Sequence, residues 1–70
     1  MKVGDVVMFT DEGRYKEWFY GKIGTITSAV GRGVSVQWMH PVTYLTMRHV
    51  TTSNFSADYF TLMRANNESR

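Results

Sequence analysis

The side chains whose types and spacing could do chemistry are the two histidines, His40 and His49, and the carboxylates Asp11, Glu12 and Glu17, which lie close together in the chain. Eight residues separate the histidines, and no cysteine or acidic residue falls in that interval to complete a metal-ligand set. Neighbouring carboxylates can share general acid and base roles, but only where burial or a charged partner drives their pKa values apart. Nothing in the polar sequence around Asp11, Glu12 and Glu17 would desolvate them and raise a pKa, so they read as a solvated loop. Gly21-Lys22 superficially matches the end of a phosphate-binding loop. Position 16 is lysine where that motif needs glycine, and Ile23 stands where it needs serine or threonine. With no cysteine in the chain there is no thiolate nucleophile, disulfide or thiolate cage. The expectation is a protein that is not an enzyme and that holds no cofactor and no metal.

The charge distribution is more informative than the charge. Eight Lys or Arg against six Asp or Glu leave a formal net charge of +2, too small a bias to identify a partner. From Trp18 to Ala57, however, there is no Asp or Glu, while Lys22, Arg32 and Arg48 all fall inside, with both histidines. The surplus is therefore +3 in the centre and −1 in the flanks, which carry five positive charges against six negative ones. In a strand meander that central stretch is expected to form one contiguous basic wall. Arg14, Tyr15, Lys16 and Trp18 lie in the adjoining first loop, and Tyr44 shares an outward face with Arg48. Cations that track a phosphate backbone, beside rings that stack on bases for about 1–3 kcal/mol each, suit sequence-tolerant nucleic-acid binding. The same residues suit an acidic protein surface, because Trp, Tyr and Arg are enriched at binding hot spots. The candidate binding residues are Arg14, Tyr15, Lys16, Trp18, Lys22, Arg32, Tyr44 and Arg48.

Several of these have a structural reading beside the functional one. Trp38 alternates in phase with Val34 and Val36 and belongs to the core. Trp18 and Phe19 are divided between core and contact, since a long loop folds an aromatic back over a small core. Arg32 at a hairpin tip is simply solvated in the structural reading, and His40 before Pro41 is a turn residue. The five methionines read as gap-filling core or rim residues, with Met39 the one to check for exposure.

The elements that must position these residues are strands. Seventy residues make one domain, expected over residues 1–64 with a frayed tail over 65–70, and the 43% hydrophobic content is enough for a small core. Periodicity is two, and Gly or Pro arrives about every ten residues. Val6 to Phe9 is a first strand, followed by a long first loop from Asp11 to Tyr20. Ile23 to Val30 is a second strand, closed by a tight hairpin at Gly31-Arg32-Gly33. Val34 to Met39 is a third, expected to end at His40-Pro41 because proline lacks a ladder donor. A fourth runs from about Thr43 to Val50, with Leu45 and Met47 inward and Tyr44, Thr46 and Arg48 outward, a register that keeps a guanidinium out of the core. Ser53 to Tyr59 is expected to hold one 3₁₀ turn before a last strand at Phe60 to Met63. The fold class is all-β: a small five-stranded barrel.

Val3-Gly4-Asp5-Val6-Val7 followed by Gly21-Lys22-Ile23-Gly24-Thr25-Ile26 is similar to the KOW motif, in which a loop glycine lies between a basic residue and a hydrophobic strand. A second set, Trp18, Ile23 to Ile26, Val34 to Trp38 and Val50 to Asp58 with Asn54-Phe55 at its most specific point, resembles the photosystem I reaction-centre subunit IV and related electron-transport accessory barrels. Both groups are Src-homology-3-like barrels. The first resemblance implies binding to nucleic acid or a nucleoprotein assembly; the second implies a cofactor-free accessory that docks on a larger protein complex. The chain shows no secretory leader after Met1-Lys2 and no apolar run of membrane-spanning length, so a monomeric cytoplasmic protein without a membrane span is expected.

Overall fold

The computed structural model describes residues 1–66. Its elements are strand β1 (Val6–Phe9), a single turn of helix α1 (Lys16–Phe19), strands β2 (Ile23–Val30), β3 (Gly33–Tyr44) and β4 (Met47–Ser56), a 3₁₀ turn at Ala57–Tyr59, and strand β5 (Phe60–Arg64). All five strands are antiparallel neighbours in one sheet of order β4-β3-β2-β1-β5. The sheet is rolled. β1 and β4 are separated by two strands in that order, yet the rings of Phe9 and Phe55 meet at 5.1 Å. Trp38 on β3 likewise reaches Phe60 on β5 at 6.1 Å. The core enclosed in this way is Val7, Phe9, Phe19, Ile26, Val34, Val36, Trp38, Val42 and Phe60, all buried.

Alternation fixes which face each strand turns inward. Val7 and Phe9 on β1, Gly24 and Ile26 on β2, and Val34, Val36 and Trp38 on β3 are buried, as a pleat of period two requires. Gly24 is in that set because β3 leaves no room for a side chain: a Cβ there would meet Val36 Cγ1 and would lie 2.8 Å from the Gln37 carbonyl oxygen. The β2–β3 hairpin turns on Gly31-Arg32, with Val30 paired to Gly33 and Gly31 at φ 57. Only glycine takes that conformation without steric cost.

Two expectations about β3 and β4 are corrected. His40-Pro41 does not end the third strand, which continues to Tyr44. Gln37 pairs with Thr52 and Val42 with Val50, so β3 gains three residues on β4 across that interval. The bulge takes up Pro41 where no ladder donor is needed. Across it β3 keeps its inward phase, with Val42 buried like Val34, Val36 and Trp38 and Tyr44 next in that series, while His49, at φ 61, sits inside the second register shift between Val42 and Tyr44. Tyr44 therefore turns toward the core, while Leu45 and Met47 are 60% and 54% exposed, the reverse of the expected faces. The fourth strand starts at Met47, after a turn at Leu45-Thr46, with Leu45 at φ 55.

The first loop holds α1, whose Phe19 is 2% exposed and forms part of the core. The 3₁₀ turn falls before the last strand as expected, and the Asp58 N–H donates to Ser56 Oγ at 3.4 Å. The methionines are not core: Met1, Met39, Met47 and Met63 are exposed and Met8 is half-buried. The expected frayed tail starts at Ala65, but Asn66 is tied down, its N–H donating to Asp5 Oδ1 at 2.7 Å and its side-chain amide to the Val3 carbonyl at 3.1 Å. The rest of that expectation, over 67–70, lies outside the described residues.

Candidate functional site

The aromatic candidates are brought together, but by packing. Tyr15, Trp18 and Tyr44 are half-buried against the core. Trp18 meets Tyr44 edge-on at 5.0 Å, Tyr15 meets Tyr44 at 6.1 Å, and Tyr15 meets Phe55 at 5.1 Å. Phe19 stacks on Trp38 at 5.4 Å beneath them. With Phe19, this cluster forms a plug between Phe9 on β1 and Phe55 on β4, as an aromatic loop closing over a small core does. Tyr44 was expected outward as a stacking platform; because β3 continues to it in the phase of Trp38 and Val42, it joins the plug instead.

The cations are exposed and dispersed. Arg14 lies over the Tyr15 ring at 5.9 Å, and Lys16 on α1 lies 6.0 Å from the ring of Tyr20. Tyr20, 46% exposed, is a ring that the reading of the loop passed over. Its signal was available, since it directly precedes the loop-ending Gly21. Arg32 sits at the β2–β3 turn and Arg48 beside the β3–β4 turn, so most of β3 separates them, ~30 Å at roughly 3.3 Å per residue. The molecule is 43 Å in its longest dimension. No single wall therefore gathers Lys22, Arg32 and Arg48.

What lies between them is a neutral face. Thr25 pairs with Gln37 and Gln37 with Thr52, forming a row across β2, β3 and β4 on the side away from the core. Ser35 donates to Asn54 Oδ1 at 2.5 Å in the neighbouring row. Hydroxyls and amides, without carboxylates, line the middle of the sheet, and the cations border it.

Toward the α1 end, that outer face becomes apolar. Met8 pairs with Ile23, and Gly24 with Trp38, which sets Met39 beside Ile23 on the outer side. A depression of about 330 Å³ opens there, lined by Gly21, Lys22, Ile23, Met39, His40 and Pro41. Met39 is 61% exposed. A shallower one continues along Thr25, Gln37 and Met39. Sequence alternation placed Met39 outward; its meeting with Ile23 is a product of cross-strand register.

No family model, curated protein or solved structure matches this chain. Among the described residues no group of three or more His, Cys, Asp or Glu is placed to hold a metal ion, and no helix is long and apolar enough to cross a membrane.

One polar group inside the fold is organised with care. Asp5 is 3% exposed and accepts from the Asn66 N–H at 2.7 Å and the Lys2 N–H at 2.9 Å. The Asn66 bond, then the Lys2 bond, hold its carboxyl below the usual carboxylate range, against the opposing effect of burial. The Asp5 carbonyl also accepts from the Ile26 N–H at 2.9 Å, so this residue ties both ends of the chain to β2. Its carboxylate accepts from backbone N–H groups, which gives it a structural role.

Proposed function

We propose that this chain is a non-enzymatic binding module that docks on an acidic protein surface. The observation that carries the reading is the exposed Ile23–Met39–Pro41 depression with Lys22 on its rim, on a sheet whose strands supply no carboxylate. Exposed methionine and proline beside a cation make a surface suited to side chains of another protein, and methionine adapts its shape to them. The resemblance of Trp18, Ile23 to Ile26, Val34 to Trp38 and Val50 to Asp58 to accessory barrels that dock on larger protein complexes supports the same reading.

A second reading, nucleic-acid binding, is favoured by a specific observation: Arg14, Lys16, Lys22, Arg32 and Arg48 are all exposed. It is weakened by the packing of Tyr15, Trp18 and Tyr44 against the core, which occupies the three rings it would use for stacking.

Fluorescence anisotropy with two labelled probes at low salt separates the readings. The first probe is a blocked peptide of alternating glutamate and leucine; the second is oligothymidylate of about ten nucleotides, long enough for one small barrel. Docking on acidic protein predicts peptide binding that exceeds oligonucleotide binding. Tighter oligonucleotide binding, with log K falling against log salt at a slope of about −0.7 per phosphate neutralised, would establish the second reading in its place.

A further inference from the structure

Within that reading, on which this inference rests, we infer that the outer-face depression beside Lys22 is a peptide groove that takes an extended acidic–aliphatic segment. Its floor is Ile23, Met39 and Pro41, its cation is Lys22, and its extension is the Thr25–Gln37 pair.

The occupant follows from the chemistry of each part. At about 330 Å³ the depression is at the small end of ligand sites, the size of one aliphatic side chain and its neighbours. Its floor is apolar on both flanking strands because Ile23 and Met39 lie side by side on the outer face, each one residue from an inward-facing partner in the Gly24–Trp38 pair. An apolar side chain entering it displaces water from surface that the barrel cannot cover by itself. Lys22 is exposed at the rim, so the neighbouring residue of the occupant is a carboxylate. None of the residues that line the depression is a carboxylate that would compete with an aspartate or glutamate there. Beyond Met39 the groove turns polar, and the exposed side chain of Gln37 and the hydroxyl of Thr25 can hydrogen-bond the backbone of an extended segment.

A nucleic acid fits this groove poorly. No Phe, Tyr or Trp lines it, the imidazole of His40 being its one ring, and Lys22 is the one permanent cation among the residues that line it.

The test uses the intact chain and the glutamate–leucine peptide, with three variants at exposed positions: Met39→Glu, Lys22→Ala and Arg32→Ala. Thermal melts first establish that all three fold as the parent does. Met39→Glu places a charge in the floor and is expected to weaken the peptide at least tenfold. Lys22→Ala removes one exposed ion pair and is expected to weaken it about two- to fivefold. Arg32→Ala, at the far hairpin, leaves the affinity unchanged. Peptide binding that survives Met39→Glu, or that is lost with Arg32→Ala, overturns the groove while leaving acidic-protein docking in place. Peptide that fails to bind the parent while oligothymidylate binds overturns both.

Discussion

Gly24→Ala tests how closely β2 and β3 approach. Gly24 is buried on the inward face, and a Cβ built there meets Val36 Cγ1, lies 2.8 Å from the Gln37 carbonyl oxygen and 3.2 Å from Trp38 Cε3. Carbon atoms in contact normally sit about 3.5–4.0 Å apart. Neither obstacle can yield cheaply. Val36 is fully buried and the Gln37 oxygen is backbone, so one added methyl must push the two strands apart or move Trp38. Overpacking of this kind costs about 1–3 kcal/mol. In a domain of this size that is roughly 5–20 °C in Tm, read by circular dichroism or calorimetry. Gly33→Ala is the internal control, because its nearest neighbour is the Val30 oxygen at an ordinary 3.6 Å and its φ lies outside the left-handed region. That substitution is expected to be neutral or stabilising by up to about 1 kcal/mol. Equal melting temperatures for the parent and Gly24→Ala would refute the close approach, and with it the register that places Ile23 beside Met39.

Three further outcomes follow from the packing. Tyr44→Ala is expected to destabilise the fold by about 2 kcal/mol in urea titration, because the ring packs on Trp18, Phe19 and Tyr15; loss of binding without loss of stability would return it to the surface. Ser53→Ala leaves Trp38 Nε1, which donates to Ser53 Oγ at 3.0 Å, without its partner, at a cost of about 1–3 kcal/mol by chemical denaturation. Asp5 has a folded pKa below its unfolded value of about 3.9. Its contribution is therefore complete above that value and is lost as the pH falls through the folded pKa. Asp5→Asn should accordingly be less stable than the parent at neutral pH, with the difference shrinking below about pH 4 in a series of pH-dependent melts; a difference independent of pH would contradict the role given to its hydrogen bonds.

Local signals were legible where the structure is local. The bounds of β1 and β2, the Gly31-Arg32 hairpin, the inward phase of Trp38 and the 3₁₀ turn all follow from period, β-branched content and turn residues within a few positions. Tyr44 was not legible, because it shares the phase of Val34, Val36, Trp38 and Val42 only if β3 runs on past His40-Pro41, and the bulge that lets it do so leaves no mark when strand partners are unknown. Proline at position 41 looked like a strand end for the same reason. The Asp5–Asn66 bond joins residues 61 positions apart and has no sequence signature. The absence of acidic residues from Trp18 to Ala57 was visible and correct as a fact about composition. Its reading as a basic wall missed how far apart the chain carries Arg32 and Arg48, and that Ser, Thr, Asn and Gln fill the face between them.

The central claim is that the outer face around Ile23 and Met39, and not the aromatic plug, meets the partner. Amide-resolved NMR during titration with the glutamate–leucine peptide tests it directly. The account predicts that the largest shifts fall on Lys22, Ile23, Thr25, Gln37 and Met39, with Tyr15, Tyr44 and Phe55 unmoved. Shifts centred on Tyr15, Trp18 and Tyr44, or on Arg32 and its hairpin, would contradict it.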